Sequence, residues 1–177
     1  DNVHKLWDTP TVKLPKADLF SFAQDEITID EYINLPETRA HDDVTSKLYM
    51  LQRINHFSYY NVVPTSPATT ISDQRLGIGS IGSGAQWHTH GPGFCEVLHG
   101  KKHWTLVEHP IVPKFERKYP SRHWFEYYYN DWINNNSNEL WECTLEPGDT
   151  LYFPNNWYHS TVNFDPYTAF VTSFFDK

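Results

Sequence analysis

The sequence predicts an all-β domain, a barrel or sandwich with helical decoration on its outside. Three observations carry this. Short runs of β-branched and aromatic residues recur along the second half of the chain, with turn residues between them. Aromatics make up 16% of the 177 residues, with 7 Trp, 11 Tyr and 11 Phe against one Met, which suits sheets that bury rings. The 12 Pro against only 8 Gly favour ordered turns, and neither an internal repeat nor a low-complexity linker interrupts the chain.

At this length one domain, 1–177, is expected, with 1–70 supplying N-terminal strands, loops and a short helix and 71–177 the barrel core. Residues 1–10 read as a loosely held arm and 12–22 as a strand running into a loop. Thr28 to Ile33 has the acidic start of a short helix, stopped by Asn34 and Pro36. Residues 47–53 suit a buried strand, and a Pro- and Thr-rich loop over 63–70 leads into a strand over 74–82. On that strand Leu76, Ile78 and Ser80 share a face, and its glycines permit close backbone approach. A further strand is expected from Phe94 onward, continuing unbroken through Val97, Gly100, Lys102, Trp104 and Leu106. Ser121 caps a predicted helix over 123–134, part of an insertion near 121–134. Its Trp124, Tyr127, Tyr128 and Trp132 stand at helical spacing and are expected to pack on the barrel. Strands resume at 140–145, 150–153, 159–163 and 169–175.

A net charge of −8 argues against a nucleic-acid surface, which needs clustered Lys and Arg. No apolar run approaches a membrane span, and Asp1 opens no signal-peptide pattern, so the chain reads as a trimmed or mature form. Cys95 and Cys143 are too far apart for a CxxC motif and read as buried thiols. Asn135-Asn136-Ser137 fits a glycosylation acceptor, a triplet that also arises by chance.

The chemistry lies in the histidines. His88 and His90, in Gln86-Trp87-His88-Thr89-His90-Gly91-Pro92-Gly93, are spaced i and i+2, which on a strand points both imidazoles to one face. His159 follows a Gly148-Asp149 turn and an aromatic strand, as a ligand arriving from a neighbouring strand would. Three imidazoles suit a mononuclear iron, zinc, copper or nickel site. If Gly91-Pro92-Gly93 is a three-residue hairpin turn, His90 faces Phe94 and His88 faces Glu96, with opposed Cβ atoms about 4.5–5.5 Å apart. Glu96 would then ligate the metal or hold an imidazole; a slip of one residue would turn it to the other face. Strand alternation also requires one of Lys101 and Lys102 to face the interior, where a lysine needs an anionic partner.

These motifs resemble the cupin superfamily and, within it, the JmjC (jumonji-C) domain. Gly82, five residues, His88-x-His90, then Glu96 and Gly100 are similar to the first cupin motif, with altered spacing at its end. Gly148, five residues, Pro154, then His159 and Asn163 are similar to the second, with Asn156 in place of the usual Gly. The run from Glu96 to Leu106, with its Gly100-Lys101-Lys102 step, and the run from Gly148 to His159 look like JmjC signatures. Within the family the likeness is to small JmjC-only proteins of the endoplasmic reticulum lumen, from about Val12 to the C-terminus and weaker before Leu76. The usual JmjC domain begins further upstream.

The resemblance implies a double-stranded β-helix, Fe(II), 2-oxoglutarate as cosubstrate, and hydroxylation or demethylation of a protein or peptide, in the lumen by resemblance alone. It assigns His88 and His159 to the two metal histidines and Lys102 to the distal carboxylate of 2-oxoglutarate, with Trp104 and Ser173 joining Lys102 in the cosubstrate site. It leaves a homo-oligomer open. The chain departs from the family at two places. His90 stands where an Asp or Glu is usual, and Ala85 where some members carry a hydroxyl. A metal set of His88, His90 and His159, with Glu96 restoring the carboxylate, is therefore expected. Three functions follow: an Fe(II)/2-oxoglutarate oxygenase, a catalytically silent metal-binding or scaffold module, and a three-histidine cupin enzyme using no oxo-acid, such as a thiol dioxygenase or isomerase.

Overall fold

The computed structural model describes residues 49–53, 71–117, 119–136 and 139–175. The predicted strand over 12–22, helix over 28–33 and loop over 63–70 lie outside them. In chain order the elements are β1 (Tyr49–Arg53), β2 (Ile71–Ser80), β3 (Gly93–His99), β4 (Lys102–Val107), α1 (Ser121–Tyr127), α2 (Tyr129–Asn136), β5 (Leu140–Leu145), β6 (Thr150–Phe153), β7 (Tyr158–Asn163) and β8 (Tyr167–Phe175). They form two antiparallel sheets, ordered β1-β2-β8-β3-β6 and β5-β4-β7. This is a strand-dominated jelly-roll with helices added outside.

The core lies between the sheets because each strand alternates. Cys95 and Val97 from β3, Trp104 and Leu106 from β4, Leu145, Phe153 and Phe170 pack as one buried cluster drawn from both layers. Close packing there depends on a missing side chain. A Cβ on Gly77 would meet the Phe170 ring at 2.0 Å, so β2 can lie over that ring only with glycine at this position.

Two expectations are corrected. The strand expected to continue through Gly100 breaks instead: Gly100 adopts φ +73, and the chain leaves the larger sheet at His99 to enter the smaller one at Lys102. A left-handed backbone there ends the extended run, as glycine permits and other residues resist. The single helix expected over 123–134 is two short ones. The first starts at Ser121, whose side chain makes no cap because Pro120 holds that position, and it ends at Tyr128 with φ −120. The aromatic stripe does pack on the barrel: Trp124, Tyr128 and Trp132 join Trp87 and Val107 in a second cluster, whereas Tyr127 is 67% exposed.

Candidate metal centre

Residues 82–90 carry the first two histidines, and their backbone bonds run along β7. Gly82 N–H donates to Asn163 O, Asn163 N–H to Ser83 O, and Thr161 N–H to Ala85 O, all at 2.8–2.9 Å. His88 and His159 close the ladder by exchanging two bonds of 3.0 and 2.9 Å. The expected hairpin between His88–His90 and Phe94–Glu96 does not form, for a simple reason. The backbone of 82–90 is committed to β7, while β3 pairs with β6 and β8.

Among the described residues, His88, His90 and His159 are the one group of three potential ligands, with ligand nitrogens all within 4.8 Å of one another. Each ring is oriented by its Nδ1. That of His88 lies 2.6 Å from Gln86 O, that of His90 2.8 Å from Gly91 O, and that of His159 3.0 Å from Trp157 O. A carbonyl only accepts, so each Nδ1 carries the proton, and each neutral ring presents a bare Nε2 lone pair. Two of these, on His90 and His159, face each other at 3.1 Å.

The rings are held neutral. Burial, then the neighbouring His90, pushes His88 down to about 3. Burial, then His88 and His90, holds His159 well below 6.5, and burial followed by the Arg75 charge lowers His90. Uncharged lone pairs converging at this distance repel unless a cation lies between them. For metal–nitrogen bonds of about 2.1 Å, adjacent ligand nitrogens sit about 3.0–3.4 Å apart, so the His90–His159 pair fits a divalent ion. Carbonyl partners behind ligating imidazoles are also the usual way such rings are fixed.

Glu96 is not in this group. Cys95 and Val97 face the core, so alternation turns Glu96 to the opposite face of β3, where it is half-buried and opposite Thr150 and Val171. Glu96→Gln is accordingly expected to leave metal stoichiometry and affinity unchanged by titration and elemental analysis. A tenfold loss would return the carboxylate to the site.

Of the two lysines, Lys101 lies outside, paired with Glu146 at 2.6 Å, and Lys102 inside, 1% exposed. Lys102 Nζ donates to Asn163 Oδ1 at 3.2 Å and lies 4.1 Å above the Phe170 ring. Ser83 accepts from the Asn163 amide at 3.1 Å and so fixes which end meets the lysine. Burial pushes Lys102 down to about 8, which leaves it largely cationic at neutral pH. Trp104, two residues on, shares its face and lies against His159 with ring centroids 5.5 Å apart. Ser173 lies elsewhere. It is opposite Phe94 and accepts from Gln74 at 3.0 Å, on the face that alternation sets against the core-facing Thr172 and Cys95.

Sequence reasoning missed Arg75. Asp73, Arg75, Gly77 and Gly79 occupy the face of β2 opposite Leu76 and Ile78. Arg75 Nε donates to Asp73 at 2.8 Å and its guanidinium lies 5.3 Å over Phe174, whose ring is 5.0 Å from His90. The glycines on that face were the available signal, since small residues beside a charged pair leave it room. A cleft of about 290 Å³, at the small end for ligand pockets, has His88 in its wall with Trp87, Val112, Phe115, Arg117 and Tyr158.

The model of the cupin-like domain family matches residues 13–177. The chain is 30% identical over 186 residues to JmjC domain-containing protein 8 of Rattus norvegicus, covering 98% of this chain and 66% of that protein. To the Homo sapiens protein of the same name it is 31% identical over 174 residues, covering 92% and 64%. Lysine-specific demethylase JMJ21 of Arabidopsis thaliana is 28% identical over 118 residues, 56% of this chain and 12% of that one. The chain thus spans just under two thirds of the length of the first curated relatives. With the family model covering nearly all of it and the three histidines gathered on a jelly-roll, the chain belongs to the cupin-like domain family, of the JmjC kind.

Proposed function

We propose that the chain is a metal-dependent oxygenase that uses Fe(II) and 2-oxoglutarate to oxidise a protein substrate. The observation that carries this reading is the convergence of three neutral, carbonyl-anchored imidazoles on one point, with a buried cationic lysine on the barrel interior beyond them.

Charge gives the oxo-acid its reason. Three neutral ligands leave both charges of a divalent ion uncompensated, and Lys102 adds a third. A dicarboxylate with one end on the metal and the other at Lys102 offsets two of them, in a place where unpaired charge is costly. Bound Fe(II) would supply the redox chemistry that consumes dioxygen and the oxo-acid. The chain's own part is to aim the three Nε2 atoms, hold the lysine through Asn163 and keep water from the interior. A protein substrate is supported by the lysine- and arginine-specific demethylases among the relatives.

One observation favours a second reading, a metal-binding module without oxygen chemistry: among the described residues no carboxylate joins the three histidines. Anaerobic reconstitution separates the two. With Fe(II) and 2-oxoglutarate the protein is expected to develop a weak visible charge-transfer band that Lys102→Ala loses. Metal uptake with no band would leave the binding module or a three-histidine enzyme using no oxo-acid.

A further inference from the structure

The cleft beside His88 is built from three pieces of chain: residues 86–89, the loop that carries Val112, Phe115 and Arg117, and Tyr158 of β7. Its walls are tied down before anything enters. The Gln86 amide donates to Tyr119 O and Pro120 O at 3.2 Å, Pro113 is buried, and Tyr128 Oη donates to the Glu116 carboxylate at 3.1 Å. A site already shaped in this way loses little freedom on binding.

The lining has an apolar part and one charge. Trp87, Phe115 and Tyr158 offer rings, and Val112 at the rim is 57% exposed. Of the large apolar side chains exposed among the described residues, Val112 is the one that lines this cleft, and apolar surface left open on a concave wall marks a place for a partner. Arg117 supplies the charge. No carboxylate lines the cleft, and Arg117 has no ion-pair partner among the described residues. Its surroundings in the sequence carry the same sign: over 109–123, Lys114, Arg117, Lys118 and Arg122 stand against one acid, Glu116, in a chain of net charge −8. Such a chain repels an acidic segment over most of its surface and accepts one only where the local sign is reversed. A volume of about 290 Å³ admits side chains of an extended segment rather than a folded surface.

We propose that the cleft holds the protein substrate next to its reacting residue and selects an acidic neighbour there. An Asp or Glu carboxylate of the substrate meets Arg117, while an adjacent apolar side chain lies against Val112 and Phe115. His88, in the same wall, sets this segment beside the metal centre. This deepens the oxygenase reading and rests on it.

The test is a displayed library of random linear peptides, sorted on the manganese(II)-loaded protein and on its Arg117→Glu variant. Arg117 is exposed, so the variant is expected to keep its metal content and thermal midpoint. Peptides enriched on the unsubstituted protein are expected to carry Asp or Glu beside an apolar residue, and on the variant Lys or Arg takes that place. Fluorescence anisotropy with one enriched acidic peptide is expected to show roughly 10-fold weaker binding to the variant, since reversal turns the attraction of an exposed pair into repulsion. High salt should shrink that difference. Val112→Ser is expected to weaken the same peptide and leave the charge preference unchanged. Enrichment with no charge preference, the same preference on both proteins, or no enrichment at all overturns the proposal. Adding Fe(II) and 2-oxoglutarate separates it from the oxygenase reading. An acidic peptide bound through Arg117 but left unmodified, with no succinate formed, leaves the acidic-peptide site standing and overturns the oxygenase. Peptides oxidised regardless of charge keep the oxygenase and overturn selection by Arg117.

Discussion

His159→Ala is expected to abolish stoichiometric metal, with affinity falling by at least about 100-fold. Losing even an outer partner of a ligand typically costs 10- to 100-fold, and this substitution removes a ligand outright. His159 is 1% exposed and faces His90 at 3.1 Å, so no solvent-borne group readily takes its place. The variant must keep its fold for the result to mean anything. The backbone exchange between His88 and His159 does not involve the imidazole, so the ladder along β7 should survive. Elemental analysis after dialysis against a weak chelator gives the answer, with circular dichroism as the control. Unchanged metal content in a folded variant would move the site away from these three histidines.

The metal-free protein is expected to lose stability steeply as pH falls below about 6.5. In the unfolded chain an imidazole takes up its proton near 6.5, whereas His88 in the fold resists it down to about 3. Between those values the unfolded state binds more protons than the native one, so the stability present above 6.5 drains away toward 3. At 1.36 kcal/mol per pH unit, the fall for His88 corresponds to about 5 kcal/mol. His159 and His90 shift the same way and add to the slope. Urea midpoints of the metal-free protein at pH 8, 6 and 4.5 measure it. His88→Gln should flatten the curve by removing one titrating group, which separates the histidines from ordinary carboxylates. A midpoint that stays level from pH 8 to 4.5 would mean the rings are not held neutral. Metal affinity is expected to fall over the same range, because protons compete for the same Nε2 atoms.

Legibility differed by the distance over which each feature is decided. The strands at 140–145 and 150–153, and the aromatic packing of Trp124 and Trp132, follow from local pattern and were readable. The choice of Lys102 over Lys101 needed only to know which strand face was inside, and alternation left just two options. The three histidines were legible because their spacing is itself chemical. Glu96 was not, because its placement rested on which strand 82–90 pairs with. A short Gly-Pro-Gly turn is compatible with a hairpin, yet the chain gives those backbone bonds to β7, some 70 residues on. Non-local pairing of that kind is a competition between partners and leaves no mark on either segment alone. Gly100 shows the same limit on a smaller scale. Its left-handed turn moves the chain between sheets, whereas alternation on both sides reads as one strand.

The exchange between His88 and His159 has a mechanical meaning. β7 ends the smaller sheet, and an uncovered sheet end is a row of open donors and acceptors. Residues 82–90 cover it, and the last rung of that cover is the pair of histidines themselves. An ion gripped by both side chains would therefore act as a clasp, fastening two lengths of chain far apart in sequence at the point where they would otherwise begin to peel. Release of the ion would remove that fastening and leave the seam to its backbone bonds alone, so the flank of the barrel would be more easily opened without the ion than with it.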